Sequence, residues 1–246
     1  MGAMMKKITF SIDVEKDLHD GGERGIKCGL LDFEKMCYKY KINPTLFVVG
    51  NLVKKHAKLL KRLHKKGWDI SLHGFSHKRF DEMRLDEKKK EIENSLWAFK
   101  KYLGIKPKGF RAPQHSIDNE TLDLLEENGF EYDSSYAPLN LFQLLFFPSK
   151  FKLWFKLFFS RLNKYRIRKN LYETPTSSIL IPFVSLTARV FPKWMLKPYI
   201  LILGVFYKNP VFYANSWDFV KLPESKIDRI FSHERFKENL DYIMSA

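Results

Sequence analysis

From Lys7 to Ser135 the chain alternates short, β-branched apolar runs with longer amphipathic ones, and this alternation limits its fold more than any other feature. KITFSIDV is followed by FEKMCYKYK, PTLFVVG by NLVKKHAKLLKRLHKKG, WDISLHG by LDEKKKEIENSLWAFKKYLG, and PKGFRAP by DNETLDLLEENG and then FEYDSS. The first member of each pair has strand composition. The second has apolar residues at helical spacing, and two of these helices are closed by Gly67 and Gly104. Asp118 stands where an N-cap belongs. Repeated βα units imply a parallel sheet, open or closed into a barrel. In either form, chemistry gathers at the C-terminal ends of the strands.

Polar clusters stand at those ends. Asp13 and Glu15 close the first strand, His73 and His77 follow the third in ISLHGFSH, and Arg111 with Pro113 follows the fourth. Two imidazoles four residues apart on a helix or tight helical turn share a face and can converge on one point. A third ligand, often a carboxylate, and one open position would complete a catalytic metal site. Any one cluster alone fits a helix cap or a surface ion pair. Three at successive strand ends point to a site.

Bulk properties are consistent with a folded α/β domain. The chain has 246 residues, 45% of them hydrophobic and 29% charged, which supports a core and excludes disorder. Cys28 and Cys37 are too few for a disulfide framework and not spaced as CxxC, so reduced thiols in a cytoplasmic protein are expected. MGAMM is too short to be a secretory leader. The longest charge-free stretch, 134–149, is interrupted by Pro138, Asn140 and Gln143 and is too short to span a bilayer.

Charge is unevenly placed. The formal net charge is +15, and from Ser134 to Trp217 one acid, Glu173, stands against twelve Lys and Arg. Residues 151, 154, 155 and 158 share an apolar helical face, with Lys152 and Lys156 on another. A basic, apolar insertion at about 139–170 therefore fits the surface of an anionic membrane, where each cation contributes on the order of 1 kcal/mol. An amphipathic helix packed on a barrel is the competing reading. Nucleic acid is not expected, because no binding motif accompanies the charge.

FSIDVE, SLHGFSH, GFRAPQHSID, FEYDSS, LYETPTSS and VFYANSWDF occur in the order and spacing of the polysaccharide deacetylases, the NodB-like carbohydrate esterases of family 4. The chain resembles especially the branch whose first motif reads DVE. The resemblance runs from about residue 7 to residue 241 and implies an α/β fold, a distorted (β/α) barrel of seven strands, with residues 5–246 as a single domain. It further implies metal-dependent removal of an N-acyl group, acetyl or formyl, from a sugar or glycan, possibly one carried on a polyprenyl lipid at the cytosolic face of the membrane. Zinc is the expected ion, with cobalt, nickel, manganese or iron as alternatives. In this reading His73, His77 and Glu15 hold the metal and Asp13 is the general base, the division between Asp13 and Glu15 being open and Asp17 a weaker substitute. Arg111 holds the base by a bidentate contact and keeps it ionised, while Pro113, Asn215 and Trp217 line the substrate. Where the family carries a histidine as general acid, this chain has Asn215, whose amide cannot donate a proton in that role. His115 is the first replacement to consider and His19 the second. If neither serves, the chain is an inactive homologue that binds carbohydrate.

Overall fold

The apolar runs become strands β1 (Thr9–Val14), β2 (Thr45–Val48), β3 (Asp69–Leu72), β4 (Gly109–Phe110) and β5 (Tyr132–Asp133). Between them lie helices α1 (Leu30–Tyr40), α2 (Val53–Lys65), α3 (Leu85–Ala98) and α4 (Asn119–Glu127). This computed structural model describes residues 7–18, 20–141 and 151–246, without the side chains of 152–154 and 156. The second half adds β6 (Tyr165–Arg166), β7 (Tyr172–Glu173), the hairpin β8 (Ser178–Ile179) and β9 (Ile181–Pro182), and β10 (Val211–Asn215). Its helices are α5 (Phe151–Phe158), α6 (Ser185–Val190), α7 (Lys193–Phe206), α8 (Lys226–Ile230) and α9 (His233–Ser245).

Seven strands run parallel in the order β10-β1-β2-β3-β4-β5-β7, curled into a half-barrel, as the βα alternation predicts. An eighth, β6, lies antiparallel at the edge beside β7. It comes from the basic stretch after α5, where the sequence shows no strand alternation. Among the described residues β7 and β10 do not pair. The chain between them bridges the seam instead: Thr176 N donates to Tyr136 O at 2.9 Å, Val211 N to Ser177 Oγ at 2.8 Å and Tyr213 N to Phe183 O at 3.2 Å.

Strand period sorts the two faces of the sheet. Phe10, Ile12 and Val14 join Leu46, Val48, Ile70 and Leu72 in the main core. The other face is polar: Ser11 pairs with Thr45 and Asp13 with Phe47, which continue to Asp69 and Ser71. Gly109 opposes Tyr132, and a Cβ there would come within 2.1 Å of the Tyr132 ring. Its absence lets the Tyr132 hydroxyl reach Asp69 Oδ2 at 2.5 Å and Ser71 Oγ at 3.0 Å.

Asp118 caps α4 as expected, accepting Thr121 N at 2.9 Å, and α3 extends through a wider turn to Gly104, where φ is 76°. In α5, Phe151 and Phe155 are exposed and Leu157 is buried. Trp154, expected on the same face, and His19 lie outside the described side chains. Among the described residues no helix is long and apolar enough to cross a membrane.

Candidate active site

The rim at the C-terminal ends of the strands collects the predicted residues. Asp13, buried at the end of β1, accepts from Arg111 Nη1 at 2.9 Å. The contact is single and not bidentate, because the other guanidinium nitrogens are engaged elsewhere. Nη2 donates to Ser11 Oγ at 3.0 Å and Ser134 Oγ at 2.9 Å, and Nε donates to Ser134 O at 2.9 Å. The guanidinium also lies 4.2 Å from the Phe47 ring centre and 5.0 Å from that of Tyr213. Burial raises the Asp13 carboxyl above its ordinary range, and Arg111 and His115 only partly oppose this. Desolvation thus outweighs the guanidinium in setting the direction of the shift.

Glu15, His73 and His77 form a second cluster, their ligand atoms all within 4.8 Å of one another. His73 follows β3, and its Nδ1 meets Arg111 O at 2.8 Å. A carbonyl only accepts, so Nδ1 carries the proton and Nε2 presents its lone pair. Burial drives its pKa to about 3, which leaves a neutral imidazole. His77 Nε2 lies 2.5 Å from Glu15 Oε2. Burial lowers the His77 pKa, but the Glu15 and Asp13 carboxylates together carry it above the ordinary value. Two imidazoles and a carboxylate converging at the end of a sheet are the donor set a divalent ion of the zinc type takes.

The two histidines do not meet on a helix. Gly74 (φ 68°) and His77 (φ 63°) are both left-handed, and this bent loop brings the rings to 5.1 Å between centres. Gly74 also packs against Phe80 and Pro113, so Pro113 supports the His73 loop from the side.

Glu15 is held from the turn that follows the neighbouring strand β10. Trp217 Nε1 donates to Glu15 Oε1 at 2.9 Å and Ser216 Oγ to Glu15 O at 3.2 Å. The turn carrying Trp217 packs on the backbone at Gly25 and Gly29, where a Cβ would come within 2.5 Å of Trp217 N and Ser216 O respectively. Trp217 is thus a neighbour of Glu15 more than an open wall for a ligand. Asn215 opposes Asp13 in register, caps this turn together with Asp218, whose Oδ2 accepts Asn215 N at 2.9 Å, and meets the Tyr213 hydroxyl at 3.3 Å. Asp17 does not join the metal donors. Its carboxylate accepts Arg24 N at 2.5 Å and Gly25 N at 2.8 Å, pinning the loop that leads into α1.

His115 is buried beside the same centre, its ring 5.5 Å from that of Tyr213 and its Nδ1 2.9 Å from Ser135 O. Burial and the nearby Arg111 charge lower its pKa to about 4. A cavity of about 360 Å³ opens beside Glu15 and His77, bordered also by Leu18, Asn51, Leu52 and Ser76. Ser11, Ser134 and Tyr213 escaped the sequence reading. For Ser11 the one available sign was its place two residues before Asp13 on the same strand face.

The fold and this rim define the class: the half-barrel is the NodB-type deacetylase fold. A Mycobacterium smegmatis protein assigned to the polysaccharide deacetylases superposes with a TM-score of 0.69 at 15% identity, covering 100% of this chain and 85% of that one. The family described as Polysaccharide deacetylase matches residues 30–132 of this chain. The chain is similar to a peptidoglycan deacetylase-like protein of Gibberella zeae (30% identity over 109 residues, 44% of this chain and 32% of that protein). It is also similar to a peptidoglycan deacetylase of Helicobacter pylori (28% over 123 residues, 49% and 42%). The matched part therefore spans less than half of each of these curated relatives. His73, His77, Arg111 and His115 fall inside the family match, whereas Asp13, Glu15, Asn215 and Trp217 lie outside it.

Proposed function

We propose that the chain is a metal-dependent hydrolase that removes an acetyl or formyl group from the nitrogen of a sugar. The observation that carries this reading is the convergence of Glu15, His73 and His77 beside the buried Asp13–Arg111 pair. Members of the family hydrolyse N-acetyl amide bonds. Glu15, His73 and His77 would hold one divalent ion, zinc by preference, which supplies polarisation of the acyl oxygen and a lower pKa for water. Asp13, with its raised pKa, takes the proton of the attacking water. Arg111 fixes its direction. His115 is neutral near pH 7, so its Nε2 takes up the proton that Asp13 drew from the water and delivers it to the leaving amine, which returns both groups to their starting state. Trp217 keeps Glu15 in place. The same reading takes 5–246 as one domain, at the cytosolic face of the membrane, with the sugar carried on a polyprenyl lipid.

Asn215 favours a second reading, a homologue that binds carbohydrate without hydrolysing it, because its side chain is committed to capping a turn. One experiment separates the two. Amine release is followed from N-acetyl and N-formyl amino sugars, free and polyprenyl-linked, with metal content measured in parallel. The wild type should bind a divalent ion and release amine, while His73→Ala, His77→Ala should lose both. Equal metal content in the two proteins would overturn the metal assignment. A metal-loaded wild type that binds these sugars without releasing amine supports the binding homologue.

A further inference from the structure

The one acid between Ser134 and Trp217, Glu173, is fully buried. That third of the chain therefore shows solvent no carboxylate, and what it does show is cationic and apolar. Helix α7 is apolar on both sides, but only Leu196, Tyr199, Ile200 and Leu203 are covered. On the other side Trp194, Pro198, Leu201 and Val205 follow one another at helical spacing with Ile202 and Phe206 beside them, and all six are exposed. Trp194 is 74% exposed, Leu201 51% and Val205 75%. A helix apolar all round belongs inside a core or against lipid.

The face continues beyond α7. Phe151, Phe155 and Phe159 stand exposed at four-residue steps with ring centres 5.5 and 5.1 Å apart, and Leu180 and Ile181 are exposed at the β8–β9 tip. Hydrogen bonds tie these pieces together. Leu139 N donates to Phe158 O at 3.0 Å, Leu180 N to Leu139 O at 2.8 Å, and the Tyr199 hydroxyl to Ile181 O. Asn163 Nδ2 donates to Phe206 O at 3.1 Å and Lys208 N to Asn163 Oδ1 at 2.6 Å. Exposed cations border the surface: Arg161, Lys193, Lys197 and Lys208. Among the described residues Lys197 and Lys208 have no carboxylate partner, and Lys193 reaches Glu238 only at 3.8 Å.

We infer that this surface, centred on α7, docks on an anionic lipid bilayer. Charge complementarity selects the occupant, since lipid phosphates match a border where Arg161, Lys193, Lys197 and Lys208 outnumber the exposed Glu238 beside Lys193, whereas a second copy would set lysines against lysines. At 14 residues α7 is too short to span, so it lies in the headgroup boundary with its apolar side down. The sequence-based expectation put this role at about 139–170. Among the described residues the larger exposed apolar face lies on α7, 193–206. The inference is independent of whether the rim site hydrolyses a substrate.

Co-sedimentation of the full chain with phosphatidylglycerol–phosphatidylcholine vesicles, and with phosphatidylcholine vesicles alone, tests it. The wild type should pellet with the anionic vesicles, less with the neutral ones, and be partly released by salt, which screens surface charges over about 8 Å at physiological strength. The pair Leu201→Ser, Val205→Ser should weaken retention about tenfold or more through lost apolar burial, with an unchanged melting temperature because both side chains are exposed. Lys197→Glu, Lys208→Glu should weaken retention on anionic vesicles alone. A fluorescence blue shift on vesicles should disappear in Trp194→Phe. Failure of the wild type to pellet with anionic vesicles overturns the inference, as does undiminished retention of the folded serine variant. A concentration-dependent dimer in analytical ultracentrifugation that the serine changes dissolve, without vesicle binding, would make the face a self-association surface.

Discussion

Burial makes the ionisable groups of the rim unequal. It pushes the Asp13 carboxyl up, and the His73 and His115 imidazoles down to about 3 and about 4. The result is a carboxyl shifted toward its neutral form and two imidazoles that stay neutral near pH 7. If His115 passes the proton to the leaving amine, His115→Ala should lower kcat by about 100- to 10,000-fold with little change in metal content. Steady-state kinetics with metal analysis decide this, and an unchanged kcat would remove His115 from the reaction. Trp217→Phe keeps the ring but removes the donor to Glu15 Oε1. Loss of such an outer hydrogen bond should weaken metal affinity about 10- to 100-fold, read by competition with a chelating dye.

At the scale of elements, the α3–α4 contact illustrates how a cap can also be an ion-pair partner. Asp118 caps α4 through Thr121 N and also accepts from the buried Lys88 at 2.5 Å, where Glu120 adds a second contact at 2.7 Å. Lys88 lies on α3, so one carboxylate joins two helices. Asp118→Ala should cost about 2–4 kcal/mol in chemical denaturation, combining a lost cap with a weakened buried pair. The Asp118 pKa is lowered, with Lys88 and Thr121 outweighing burial. A carboxyl whose folded pKa lies below its unfolded value stabilises the fold above the unfolded pKa, about 3.9. This contribution is lost as pH falls below that value through the folded pKa. The gap between wild type and Asp118→Ala should therefore be full at pH 7 and shrink below about pH 4.

Across the whole molecule, the C-terminal third supports the rim from behind. Arg189, fully buried in α6, donates to Asp228 Oδ1 at 2.5 Å and to Asp218 O at 3.2 Å. Asp218 in turn caps with Asn215 the turn that carries Trp217. Asn239 of α9 donates to Ala188 O and Phe191 O, both at 2.8 Å, and closes α6 against the last helix. Arg189→Ala leaves two buried carboxylates without their shared cation and should destabilise the fold by about 3–5 kcal/mol in urea. The loosened Trp217 turn should also weaken metal binding in the fraction that remains folded. A variant as stable as the wild type would show that this network is not needed to hold the rim.

The order of strands and helices up to β5, the Asp118 cap and the polar residues after each strand were legible in the sequence, because helical and strand periods and capping chemistry are local. The family motifs also brought Asp13, Glu15, His73, His77, Arg111 and His115 to notice. Their partition was not legible. Glu15 meets His77 while Asp13 Oδ2 stands 3.5 Å from His73 Nε2, an arrangement that depends on the curl of the sheet and on Trp217, a contact 202 residues away in the chain. The left-handed loop that aims His77, the commitment of Asp17 to the α1 entry and the capping role of Asn215 are likewise decided by neighbours distant in sequence. The pKa directions follow the same rule, since desolvation is a property of what packs around a group. The exposed side of α7 could not be read either: a helix apolar all round gives no periodic sign of which face will be covered, and only the packed structure decides it.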